Sequence, residues 1–98
     1  MVKHIILWKL KDGIEDKEAV KKGIKTALEG LQGKIPGLIS VTVNIDFLPS
    51  ANADAMLDTV FESAEALKGY AVHPDHVAAA DTYVRPYTEV RLCADYEV

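Results

Sequence analysis

Cysteine is almost missing from this chain. Cys93 stands alone, so no internal disulfide can form, and a reducing, cytoplasmic setting is the expectation. Clustered positive charge is missing too. Eleven Lys and Arg face fifteen Asp and Glu, for a net charge of −4. Binding of phosphate backbones needs grouped cations. The lysines here fall mostly on one helical face beside Glu and Asp, which excludes nucleic acid as an expected partner. Long hydrophobic runs are also lacking. None reaches the ~20 residues that span a bilayer, so no membrane partner is expected. The opening MVKHIILWKLKDG is interrupted by lysines and lacks a small-residue cleavage signal, and it reads as a strand rather than a leader. No internal repeat, linker or low-complexity segment is present.

What remains is an ordinary globular composition. The 98 residues are 49% hydrophobic and 27% charged, enough for one domain spanning 1–98 with a single core. Val2–Lys11 is rich in β-branched and aromatic residues and stops at Asp12-Gly13. Its alternation puts His4, Ile6, Trp8 and Leu10 on one face, with Ile5 and Leu7 on the other. From Asp16 to Leu31 the period changes: Val20, Ile24, Ala27, Leu28 and Leu31 recur at helical spacing, with Asp16 as N-cap and a solvated lysine face. Leu38–Phe47 alternates Ile39, Val41, Val43, Ile45 and Phe47 against polar residues, a strand with one dry face. Ala55–Glu62 is apolar on both sides. Ser63 caps a short helix, Pro74 opens another that ends before Pro86, and Thr88–Val98 alternates Val90, Leu92, Ala94 and Tyr96 against Glu89, Arg91, Cys93 and Asp95.

The order strand, helix, strand, strand, helices, strand is that of an α+β, ferredoxin-like βαββαβ fold with a four-stranded antiparallel sheet. That topology places the first and third strands centrally. They are the two-faced strands of this chain, and the edge positions fall to the one-faced ones. Helices cover one side of such a sheet only. The uncovered apolar residues of the central strands therefore predict a homodimer through the sheet face, a dimeric α/β barrel.

Chemistry-bearing residues concentrate in Gly69–Asp81, GYAVHPDHVAAAD. His73 and His76 have ligand spacing, but metal sites need three or four protein ligands, and one Cys with a distant His4 does not supply a zinc set. No metal and no cofactor are expected, although a hard cation held by carbonyls and carboxylates stays open. Histidine titrates near neutrality, and a tyrosine hydroxyl donates to a developing oxyanion. A sharp turn at Pro74 brings Tyr70 and His76 within reach of convergence, and His4 on an apolar strand needs a partner or a purpose. The plainer alternatives are a helix-start role for His73, packing for Tyr70 and a hydrogen-bonded core role for His4. On the residues alone, these carry more weight.

VKHIILWKLK, TVFES, EALKGYAVHPDHV and YVRPYTEVRLCADYEV together resemble the stress-responsive α/β-barrel (Dabb) domain family over essentially the whole chain. The resemblance implies a ferredoxin-like fold and a dimeric barrel. Members range from stress-related stability proteins to plant polyketide cyclases that use a Tyr and a His for intramolecular aldol condensation. Carried over, it makes Tyr70 the carbonyl-polarising donor and His76 the general base, as catalytic residues, with His4 and His73 as ligand-binding residues. Helix one departs from the cyclases: it has no aromatic residue between Asp16 and Leu31 to line a long apolar pocket. Three functions follow as expectations. They are a small-molecule-binding barrel for an apolar or carbonyl-containing ligand, a lyase or cyclase, and a non-enzymatic stress-related structural protein.

Overall fold

The computed structural model describes residues 1–98. Strand β1, Val2–Leu10, lies at the centre of the sheet because both of its faces are apolar enough to be covered. Beside it run β3, Ala55–Phe61, and β4, Thr88–Glu97, with β2, Leu38–Asn44, outside β3. The order β2-β3-β1-β4, antiparallel throughout, is the ferredoxin-like arrangement. Helices α1, Lys17–Glu29, α2, Ala64–Val72, and α3, Pro74–Ala79, complete the chain order.

Caps set the helix boundaries. The Asp16 carboxylate accepts from the Ala19 N–H at 3.0 Å and the Ser63 hydroxyl accepts from the Ala66 N–H at 3.1 Å. Each satisfies a donor that the first helical turn cannot. His73 is held extended before Pro74, and its Nδ1 accepts from the Asp75 N–H. Gly37 sits at φ +81°, and a Cβ there would lie 2.4 Å from the Ala66 Cβ, so only glycine lets α2 approach this closely.

The core lies between the helices and one face of the sheet. Val2, Ile6, Trp8 and Leu10 meet Ala55, Leu57 and Phe61 on that face, with Ile24, Leu28 and Leu31 packed over them. The other face carries Ile5, Leu7, Met56, Val60, Leu92 and Tyr96, and no element of the chain covers it.

Four details differ from the sequence expectation. Strand β2 ends at Asn44, three residues short of Phe47. A bulge after Leu38 inserts one extra residue, which turns Ile39 outward to 43% exposure. The helix opened by Pro74 stops at Ala79 and continues as a π-helical turn, Ala80–Val84, then a 3-10 turn, Arg85–Tyr87. Pro86 has no N–H to extend the helical ladder. Lastly, part of the lysine face of α1 is not solvated. Lys25 Nζ donates to the Val43 carbonyl at 2.6 Å, Glu29 accepts from the Val43 N–H at 2.9 Å, and Gln32 bonds the backbone of Ile39 and Val41. These side chains cover the open edge of β2, which would otherwise present unpaired backbone groups.

Candidate active site

Three of the four residues singled out from the sequence meet in one place. Tyr70, on α2, is 1% exposed, and its ring lies between Phe61, with centroids 5.0 Å apart, and His76 of α3, 4.1 Å away at 35°. His4, on β1, is 7% exposed with its ring 6.1 Å from that of Tyr70. All three line a cavity of about 130 Å³ between sheet and helices, with Ile6, Trp8 and Leu28 among its apolar walls. The break at His73-Pro74 is what folds α3 back so that its imidazole stacks on the phenol of α2. His73 itself is not brought into the cavity; it caps α3.

The polar atoms of this cavity fall into two classes. His4 is anchored: its Nδ1 bonds Asp95 Oδ1 at 2.5 Å, while the Thr59 hydroxyl donates to the His4 carbonyl at 2.6 Å. With a carboxylate as its partner, Nδ1 is the donor of that bond. By contrast the Tyr70 hydroxyl and His76 Nδ1 are buried and have no hydrogen-bond partner in the chain. Buried polar groups are nearly always paired, so two orphans in one cavity wall call for a physical reason.

Burial explains their ionisation. It pushes the Tyr70 phenol up to about 12, opposed by the charge of Arg91. It also pushes the His76 imidazole below its ordinary value, with the Ala71 backbone opposing and Arg85 and Arg91 adding to the shift. At neutral pH the site therefore offers a phenol that keeps its proton and an imidazole that is free to accept one. For Asp95, burial raises the pKa, but the hydrogen bonds from His4 and Cys93 win and hold the carboxyl below its usual range.

Cys93, Asp95 and His4 place three ligand atoms within 4.8 Å of one another. Pairing of β1 with β4 closes the sequence distance to His4 and gives three ligand atoms, the number of a catalytic zinc site and one short of a structural one. The hydrogen bonds to Asp95, from His4 and from the Cys93 thiol at 3.4 Å, account for the grouping. Burial, then Asp95, push the thiol up, away from reactive thiolate.

Arg91 and Asp95 are the site residues that sequence reasoning missed. Alternation assigned them to the wet face of an edge strand. Their register opposite Trp8 and His4 turns that face toward the helices, which puts Arg91 in the cavity lining and sets Asp95 against His4, outside the lining. The only signal was the match between this polar row and the buried row of β1.

The family model described as the stress responsive A/B barrel domain matches residues 2–98. Olivetolic acid cyclase of Cannabis sativa is 33% identical over 98 residues, 97% of this chain and 94% of the cyclase. An uncharacterised protein of Streptomyces coelicolor is 35% identical over 100 residues, 99% of each chain. A dimeric protein of unknown function and ferredoxin-like fold from Bacteroides fragilis superposes with a TM-score of 0.91 at 36% identity, covering 99% of this chain and 95% of that one. A match across the whole chain, with relatives above 30% identity, settles the membership: this chain belongs to the stress-responsive A/B barrel (Dabb) domain family.

Proposed function

We propose that this protein is a homodimeric barrel that binds a small carbonyl-containing molecule in the Tyr70–His76 cavity. One observation carries the reading. The Tyr70 hydroxyl and His76 Nδ1 are both buried without partners in the wall of one cavity, an arrangement that costs about 1–3 kcal/mol per group unless a ligand satisfies it. The phenol donates to a carbonyl oxygen and the imidazole nitrogen meets an acidic hydrogen. His4, anchored on Asp95, completes the polar side, and His73 positions His76 by capping α3. The open sheet face, with Leu92 and Tyr96 exposed, fits a second copy of the chain. The dimeric description of the Bacteroides fragilis relative supports that part.

Trp8 is the single tryptophan and lines the same cavity, so its fluorescence reports occupancy. A screen of small aryl and alkyl ketones is expected to yield saturable changes in emission. A screen in which no ketone alters Trp8 emission removes the reading.

A second reading, lyase or cyclase chemistry, is favoured by the stacked Tyr–His pair and by the name of the Cannabis sativa relative. His76 Nδ1 takes a proton from the carbon beside a carbonyl while the Tyr70 O–H bonds the enolate oxygen. The enolate carbon then attacks a second carbonyl of the same molecule, and the imidazolium returns its proton to the alkoxide. Exchange of that carbon-bound hydrogen for deuterium, followed by NMR, tests it. Exchange no faster with the protein than without leaves binding alone. A non-enzymatic stress-related structural role is the third reading, and it requires Tyr70 and His76 to serve packing only.

A further inference from the structure

The cavity is electrically one-sided. Its lining includes two guanidinium groups, Arg85 and Arg91, and not one carboxylate, in a chain whose net charge is −4. The two arginines are not equivalent. Arg85 is paired with Asp81 one turn earlier on the same segment. Arg91 has no acidic group within ion-pair distance: every such pair in the chain involves other residues. The nearby acid that would serve, Asp95, is taken by His4.

Position adds to this. Arg91 belongs to the wall of the cavity and also to a wider groove of about 590 Å³ beside it, so the guanidinium stands between the two. Its charge reaches Tyr70, His76, Cys93 and Asp95, pulling each pKa downward, against burial at Tyr70, Cys93 and Asp95. Thr88, one step away on the same strand face, brings a hydroxyl to the same lining. At about 130 Å³, a few times the roughly 30 Å³ that one water takes in the liquid, the cavity holds a compact group, and the groove beside it takes what extends past Arg91. A long acyl chain does not fit in the cavity; a compact aromatic or short aliphatic group does.

We propose that the ligand is a small carboxylate that also bears a carbonyl, held with its carbonyl at Tyr70 and His76 and its carboxylate on the Arg91 guanidinium. A planar guanidinium matches a carboxylate with two parallel hydrogen bonds, which a lysine does not reproduce. Arg91 thus selects the substrate class. The proposal rests on the cavity being a ligand site for carbonyl compounds, as argued above.

The test uses 4-acetylbenzoate and its neutral counterpart 4-acetylbenzamide, titrated against Trp8 emission at pH 7 in wild type, Arg91→Gln, Arg91→Lys and Tyr70→Phe. Wild type is expected to prefer the acid by about tenfold or more, the scale of one hydrogen-bonded charge. Arg91→Gln is expected to lose that preference with amide binding unchanged, and Arg91→Lys to restore only part of it. Tyr70→Phe is expected to weaken acid and amide alike. Equal binding of acid and amide by wild type, or a preference that survives in Arg91→Gln, overturns the carboxylate assignment while leaving the cavity as a carbonyl site. Binding of neither probe, together with silence across the ketone screen, overturns both.

Discussion

On the helix-covered face of the sheet, Ile6, Trp8, Leu10 and Leu57 are dry and packed, and two polar atoms beside them lack partners. On the open face the deficit is reversed: Leu92 is 62% exposed and Tyr96 49%, with the Lys3–Asp58 ion pair among the apolar side chains. One face has polar groups without enough polarity around them, and the other has apolar groups without cover. Neither is what stability of an isolated monomer favours. On the proposed reading, the two faces answer to different partners, a small molecule on one and a second copy on the other.

The largest effect that separates the faces is expected from paired truncations. Phe61→Ala removes a fully buried ring that supports Tyr70, and it is expected to cost about 3–5 kcal/mol in chemical denaturation. Leu92→Ala, on the open face, is expected to leave the folding of the monomer nearly unchanged. If the two cost the same in dilute, monomeric protein, the faces are not different in kind.

Next comes Leu92→Glu, which places a charge on the uncovered face beside Leu7. Sedimentation equilibrium is expected to show dimer in wild type and monomer in the variant, an affinity loss of about a hundredfold or more. A wild type that sediments as monomer at low micromolar concentration contradicts the role given to the open face.

A smaller change, of opposite sign, is expected at Tyr70→Phe. The hydroxyl it deletes is buried and unpartnered, so the variant is expected to gain about 1 kcal/mol while losing carbonyl binding. Stability gained where function is lost is the mark of a site strained for use. A loss of stability would mean that the hydroxyl is satisfied within the fold.

The smallest effects are those of pH. The folded pKa of His76 lies below its unfolded value of about 6.5, so the unfolded chain binds more protons as pH falls. The associated stability is fully present above that value and is lost as pH drops below it. For Tyr70 the folded pKa, about 12, lies above the ordinary 10, so stability is lost as pH rises from 10 through 12. Thermal unfolding of His76→Asn and Tyr70→Phe against pH is expected to flatten the acid limb in the first and the alkaline limb in the second.

Local signals explain what the sequence revealed and what it hid. Asp16, Ser63 and Pro74 begin helices by chemistry confined to a few neighbours, and all three were readable. The order of the strands was readable because a central strand must be apolar on both faces, as β1 and β3 are. Alternation in β4 told that two faces exist but not which one meets the helices. That depends on register with β1, a pairing across about ninety residues of chain, and it turned Arg91 and Asp95 from solvent residues into site residues. The bulge at Ile39 and the π-helical turn at Ala80–Val84 have no local signature either, since each is set by packing. Lys25 of α1 looked solvated because its partner is a backbone carbonyl of β2, which carries no side-chain signal.

Melting temperature and Trp8-reported ketone binding, measured side by side on His76→Ala, separate a ligand site from a packing feature. His76 is half-buried, its Nδ1 has no hydrogen-bond partner in the chain, and it is not among the residues of the core cluster. The variant is expected to melt within a few degrees of wild type (roughly 4–8 °C per kcal/mol for a domain of this size) and to lose binding. A collapsed melting temperature with binding retained by the folded fraction would contradict the ligand site, and would make the stacked pair a packing feature alone.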